Sequence, residues 1–276
     1  MNSYFDLNRW FLYISKHWNE NKKKYLISLA AIGGLLVLWF SFLMIVNRRH
    51  PMQEDMQVVA YYVGLYLTGC LYASMIFQEL SDSSKGISYL LLPASLLEKL
   101  LTAILFGVVL YFVCYTVVFY AVDFIMVKAS NGIVSNIYEK EHLGRFTPQE
   151  VANVFVTTRV NGDNFYIIIL LIYFTVQSIF LLGSVYFSKY SYIKTLVWGL
   201  IVFLVLVFFQ HKIIASFMPH GGFFNSTVYR VFDHEKGELN INIPAWIGIV
   251  GLYLIKYSLP PLLWIASYFR LKEKEV

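Results

Sequence analysis

The stretch QELSDSSKGISYLLLPASLLEK, residues 78–99, joins two long uncharged runs, and the chain is read outward from it. It opens with acids and hydroxyls, then passes Asp82, Lys85 and Gly86. Its close carries a mechanism. Ser95 and Glu98 stand three apart just before an apolar run, the spacing of a capping box. In that arrangement the Ser side chain accepts from the backbone N–H of Glu98, and the Glu carboxylate accepts from the N–H of Ser95. Pro93 has no backbone donor and biases Leu92 away from helix, so it separates the coming helix from what precedes it. The pattern predicts an ordered elbow between two membrane helices. Two readings remain open: a solvated loop with a helix cap, or a docking elbow for a cytoplasmic partner.

The flanking runs read as membrane spans because of the composition around them. The 276 residues are 58% hydrophobic and only 14% charged. Soluble domains run nearer ~45–50% apolar and ~25% charged. A soluble core does not need this excess, so lipid is the expected solvent. The net charge of +5 is dispersed and no recognition motif accompanies it. Nucleic acid is therefore not expected as a partner. Cys70 and Cys114 fall inside apolar runs and read as small packing residues, not as a disulfide framework or metal site.

The expected fold class is an all-α membrane protein with six transmembrane helices and an N-terminal interfacial amphipathic helix. Residues 1–24 supply that first helix and its basic flank. Leu7, Trp10, Phe11, Ile14 and Trp18 make one apolar stripe, followed by Lys22, Lys23 and Lys24. Residues 25–276 form the transmembrane domain. A helix needs about 20 apolar residues to cross the hydrocarbon, which places spans near 25–47, 56–78, 97–122, 164–188, 195–217 and 241–269. The first is too long for a signal-peptide core of ~7–15 residues.

An outer loop is expected over 123–164. Within it Thr147, Pro148 and Glu150 give a helix start, with Val151, Val154 and Phe155 as its apolar face. The fifth run meets Gln210, His211 and Lys212, and breaks at Pro219, Gly221 and Gly222. A partly re-entrant or interfacial piece is expected there. The sixth run contains Lys256 and should kink near Pro260 and Pro261. The lysine cluster at 22–24 favours cytoplasmic termini, which puts the elbow and the 189–194 turn on the same side.

Chemistry is sparse. No Gly-Lys dipeptide exists, so the chain cannot hold a phosphate-binding P-loop. HExxH and GxSxG are also absent. His220, Asp233, His234 and Glu235 share one loop and could meet at a metal, though solvated loop residues explain them as well. Lys256 is the sharpest single residue, because a lysine at the centre of a membrane helix costs ~2.5–3.5 kcal/mol to insert. Its ammonium must snorkel, bond to carbonyls, or serve a substrate path or subunit interface. Asp123 lies about 37 Å beyond Glu98 along a helix and is placed at the outer surface.

The order of parts resembles a known family. An interfacial helix precedes six spans, with an elbow between the second and third and a tight turn between the fourth and fifth. A broken apolar piece follows the fifth. This resembles the permease subunit of ATP-binding-cassette exporters of the second type, the drug, polysaccharide and antibiotic exporter class. The segments YLLLPASLLEK (89–99) and YFRLKEKEV (268–276) are similar to those of bacterial members. The long 123–164 loop departs from the pattern. The resemblance implies a second permease copy or a related permease, and a separate ATPase subunit that uses ATP while this chain binds no cofactor. It also implies an outward path in the bacterial cytoplasmic membrane.

In that setting Leu90, Leu91 and Leu92 could fill a groove on the ATPase, with Asp82 and Lys85 at the polar rim; Ser95 and Glu98, in the cap of the helix that follows, are further candidates for the coupling. The chain itself is not expected to be an enzyme. The rival reading is a stand-alone integral membrane protein: an immunity, assembly or anchoring factor without transport activity.

Overall fold

The computed structural model describes residues 5–81, 83–142, 146–155, 159–160, 163–187, 189–217, 228–233, 237–242 and 245–275. The first element, α1, runs unbroken over Leu7–Val46, 40 residues. Asp6 caps it by accepting from the N–H groups of Asn8 and Arg9. Nothing between its ends stops a helix: the stretch has no proline, and Lys22, Lys23 and Lys24 are good helix formers. No boundary therefore falls at 24/25, where an interfacial helix was expected to give way to a separate span. At ~1.5 Å per residue α1 is ~60 Å long, about twice the hydrocarbon thickness, so its first half projects beyond any span.

A turn at 47–50 leads to α2, Glu54–Met75, whose first turn carries Glu54 and Asp55 where the helix dipole favours acids. The elbow then holds a 3₁₀ turn, Gln78–Ser81, and a short helix α3, Ser83–Leu90. From Leu96 the chain is helical for 46 residues. It comprises α4 (Leu96–Ile104), a π-helical stretch (Leu105–Leu110) and α5 (Tyr111–Glu141).

Residues 123–141 are thus helix, not outer loop. Asp123 lies within α5 and is wholly buried. One face of α5 explains this: Tyr111, Tyr115, Phe119, Asp123, Met126, Ser130 and Val134 recur at helical spacing and are all buried.

The helix expected from Thr147, Pro148 and Glu150 is absent. Residues 146–155 instead form a strap across α2 and α5. Its backbone groups are already taken. Asn131 donates to Gln149 O (2.8 Å) and accepts from Gln149 N–H (3.1 Å). Gln57 donates to Glu150 O (3.1 Å) and accepts from Ala152 N–H (2.7 Å). Val154 N–H donates to the Tyr120 hydroxyl (3.2 Å), and the Tyr62 hydroxyl donates to Val154 O (2.9 Å). Groups held this way cannot also close helical turns. The apolar face survives the change, because Val154 is buried and Val151 and Phe155 pack beside it.

A two-residue antiparallel pair, β1 (Arg159–Val160) with β2 (Asp163–Asn164), leads into α6, Phe165–Tyr186. After a short turn, α7 runs over Ser191–Phe217 without a break at Gln210–Lys212. The re-entrant piece is not seen in this helix; residues 218–227 lie outside the described residues. A hairpin, β3 (Val228–Asp233) with β4 (Gly237–Asn242), occupies part of the polar connection. The last helix, α8, covers Ala245–Glu275 and stays helical through Pro260 and Pro261.

Packing follows the membrane pattern. α6 lies against α8, α2 and α7, and α1 lies along α5. Where α6 meets α7, a β-carbon on Gly183 would overlap the Thr195 side chain, so only glycine permits that approach. The main core is rich in tyrosine, and several of its hydroxyls find partners, while that of Tyr173 has none among the described residues. Tyr61 bonds Thr116 (2.9 Å), Tyr115 donates to Tyr61 O (2.9 Å), and Tyr111 donates to Thr68 (2.5 Å). Lipid offers no water to satisfy them otherwise.

Among the described residues five helices are long and apolar enough to cross a membrane: Leu7–Val46, Glu54–Met75, Leu96–Glu141, Tyr166–Tyr186 and Ser191–Phe209. Their exposed faces are apolar, as at Leu26, Leu38, Phe203 and Phe208. Such faces suit lipid and would aggregate in water.

Candidate functional site

The capping box read from the sequence is formed. Glu98 N–H donates to Ser95 Oγ (3.3 Å), and Ser95 N–H donates to Glu98 Oε2 (2.9 Å). The same carboxylate then does something the sequence does not announce. Arg9, 89 positions earlier, donates through Nε to both oxygens (3.0 and 2.8 Å) and through Nη2 to Oε1 (2.7 Å). Asp6 N–H also donates to Oε1 (2.9 Å). One buried carboxylate thereby ties the first turn of α1 to the first turn of α4.

Beside it Trp10 Nε1 donates to Thr102 Oγ1 (3.0 Å), whose own hydroxyl donates to Glu98 O (2.8 Å). The Glu98 side chain is 0% exposed and Arg9 35%. The paired, two-pronged geometry is the strong form of a charge-assisted hydrogen bond. Burial offsets much of that strength, so the joint fixes geometry more than it adds net stability.

Of the two candidates in the capping box, Glu98 faces inward and braces the first turn of α4 against α1, while Ser95 is half-buried and bonds Glu98. Lys99 is likewise buried, with its ammonium 5.6 Å from the centre of the Tyr89 ring.

The outward face belongs to α3 and the turn after it. Leu91 is 78% exposed and Ile87, one turn before it, 60%. Leu92 is half-buried. Asp82 and the side chains of Lys85 and Leu90 lie outside the described residues, as does the side chain of Lys256, which sits within α8. Of the loop histidine and acid cluster, Asp233 ends β3, while His220, His234 and Glu235 lie outside the described residues.

No protein family, curated protein or solved structure was found to match the chain.

Proposed function

We propose that this chain is the membrane-spanning permease subunit of an ATP-binding-cassette exporter. It sits in the bacterial cytoplasmic membrane with both termini inside, α8 serves as the sixth span, and a second copy or a related permease completes the path. A separate ATPase supplies the energy. One observation carries this reading. A short helix and the turn after it, with two exposed apolar side chains, Ile87 and Leu91, stand at the connection between two long apolar helices. They are followed at once by a helix whose start is locked to α1 through Glu98 and Arg9. A partner that works by moving membrane helices needs a knob that does not yield, and this one is braced from behind.

The test is retention of an ATPase on the permease purified in mild detergent. Ile87→Asp with Leu91→Asp changes exposed positions only, so insertion and folding should persist. Each lost anchor should weaken binding by about 2 kcal/mol or more, enough to strip the ATPase during purification. Retention of the ATPase by the double variant removes the docking role from α3. If the wild-type chain carries no ATPase at all, the exporter reading gives way to a stand-alone membrane protein.

A further inference from the structure

At the end of the bundle away from the elbow, the turn after α1 forms a small open cleft whose lining includes Met44, Asn47, His50, Met52, Met56 and Ser130. We propose that this cleft is a binding site for a soft monovalent cation, Cu(I) or Ag(I), with thioether sulfurs of Met44, Met52 and Met56 and the imidazole of His50 as its ligands. The proposal is independent of any exporter role.

The donor set selects the ion. Thioethers are neutral and polarisable, so they offer little to Ca(II), Mg(II) or Zn(II), which favour charged oxygen, thiolate or imidazole ligands. Among the described residues no group of three His, Cys, Asp or Glu gathers that could hold such harder ions.

The scaffold holds the donors in place. Met52 is 4% exposed, its N–H donates to Ser130 Oγ (3.2 Å), and its carbonyl accepts from Gln57 Nε2 (3.2 Å). Asn47 Nδ2 donates to Met56 Sδ (3.7 Å), which keeps that sulfur beside the turn and away from lipid. His50 is exposed at the mouth, where a ligand can both receive the ion and close over it.

A second observation points to a cation. Asp123 lies on the same buried stripe of α5 as Ser130, seven residues or about 10 Å below it. It is 0% exposed, and neither carboxylate oxygen has a hydrogen-bond partner among the described residues. Neutral ligands around a monovalent ion leave a single positive charge, and a cation in the cleft would favour the ionised form of Asp123, which lies outside the lining on the same face of α5. A methionine cluster can also be plain filler for an irregular gap, and that alternative makes different predictions.

The experiment uses the full chain in detergent, in a Cys70→Ala, Cys114→Ala background so that thiols do not compete. Cu(I) is offered from a coloured Cu(I) chelator under anaerobic reduction, and Ag(I) by calorimetry. The expected result is one ion per chain, sulfur scatterers in the X-ray absorption spectrum of the copper form, and no displacement by Zn(II). Met52→Leu with Met56→Leu preserves volume and should weaken binding roughly 10–100-fold or more, as loss of metal-site groups does. His50→Ala alters an exposed position and should weaken it by about tenfold. No uptake of Cu(I) or Ag(I), equal affinity in both variants, or a copper spectrum with only nitrogen and oxygen neighbours would overturn the site and leave the methionines as packing.

Discussion

The two ends of the bundle are fastened by opposite chemistry. At the elbow a single carboxylate, Glu98, gathers a guanidinium and two backbone N–H groups. At the far end four neutral side chains, Gln57, Asn131, Tyr62 and Tyr120, share six backbone groups of the strap. The ionic joint concentrates its effect in one residue. The neutral one spreads it, so no single loss frees the strap. In the proposed exporter role, a connection that passes on a partner's motion is better concentrated and stiff, whereas a closure is better distributed.

That contrast breaks first at Glu98. Glu98→Ala removes at once the acceptor of Ser95 N–H, Asp6 N–H and the Arg9 guanidinium, and should cost ~3 kcal/mol in unfolding monitored in detergent. A loss below ~1 kcal/mol would mean the elbow is as distributed as the strap. Next in size is Gln57→Leu, which orphans Ala152 N–H and removes a donor from Glu150 O. About 2 kcal/mol is expected, with earlier proteolytic cleavage inside 146–155 as the local readout. Unchanged cleavage would show that Asn131 and the two tyrosines hold the strap alone. The smallest effect sharpens the comparison. Ser95→Ala removes a cap worth ~0.5–2 kcal/mol but leaves the Arg9–Glu98 pair intact. It should therefore lower stability while hydrogen exchange at the first turn of α1 stays slow.

Local chemistry was legible in the sequence and long-range partnership was not. The Ser95–Glu98 spacing named its own bonds, because a capping box closes within four residues. Arg9 carried no such mark. Its partner lies 89 positions away, and an arginine near the start of an amphipathic helix reads as surface charge. The runs of apolar residues located the helices, yet Asp123 misled as an end marker: one carboxylate cannot stop a helix whose next two turns continue the same buried stripe. Thr147, Pro148 and Glu150 did write a helix start. It lost to Gln57 and Asn131, whose amides satisfy the strap backbone better than an isolated short helix could. Ile87 went unremarked because the eye follows Leu90–Leu92. The i,i+4 spacing of Ile87 and Leu91 was the available signal.

The π-helical stretch Leu105–Leu110 has a mechanical meaning for the long helix that contains it. It stores one residue more than an α-helix would need between Glu98 and the tyrosine stripe that starts at Tyr111. Were those six residues to rewind as ordinary α-helix, everything above would turn by about 100° and rise about 1.5 Å relative to α4. The bond that anchors α4 to α1 sits below this point, and the stripe that packs on α1 and α2 sits above it. The stretch is therefore a screw thread between a clamped end and a packed end, and in the proposed exporter role a push on the elbow would leave as rotation.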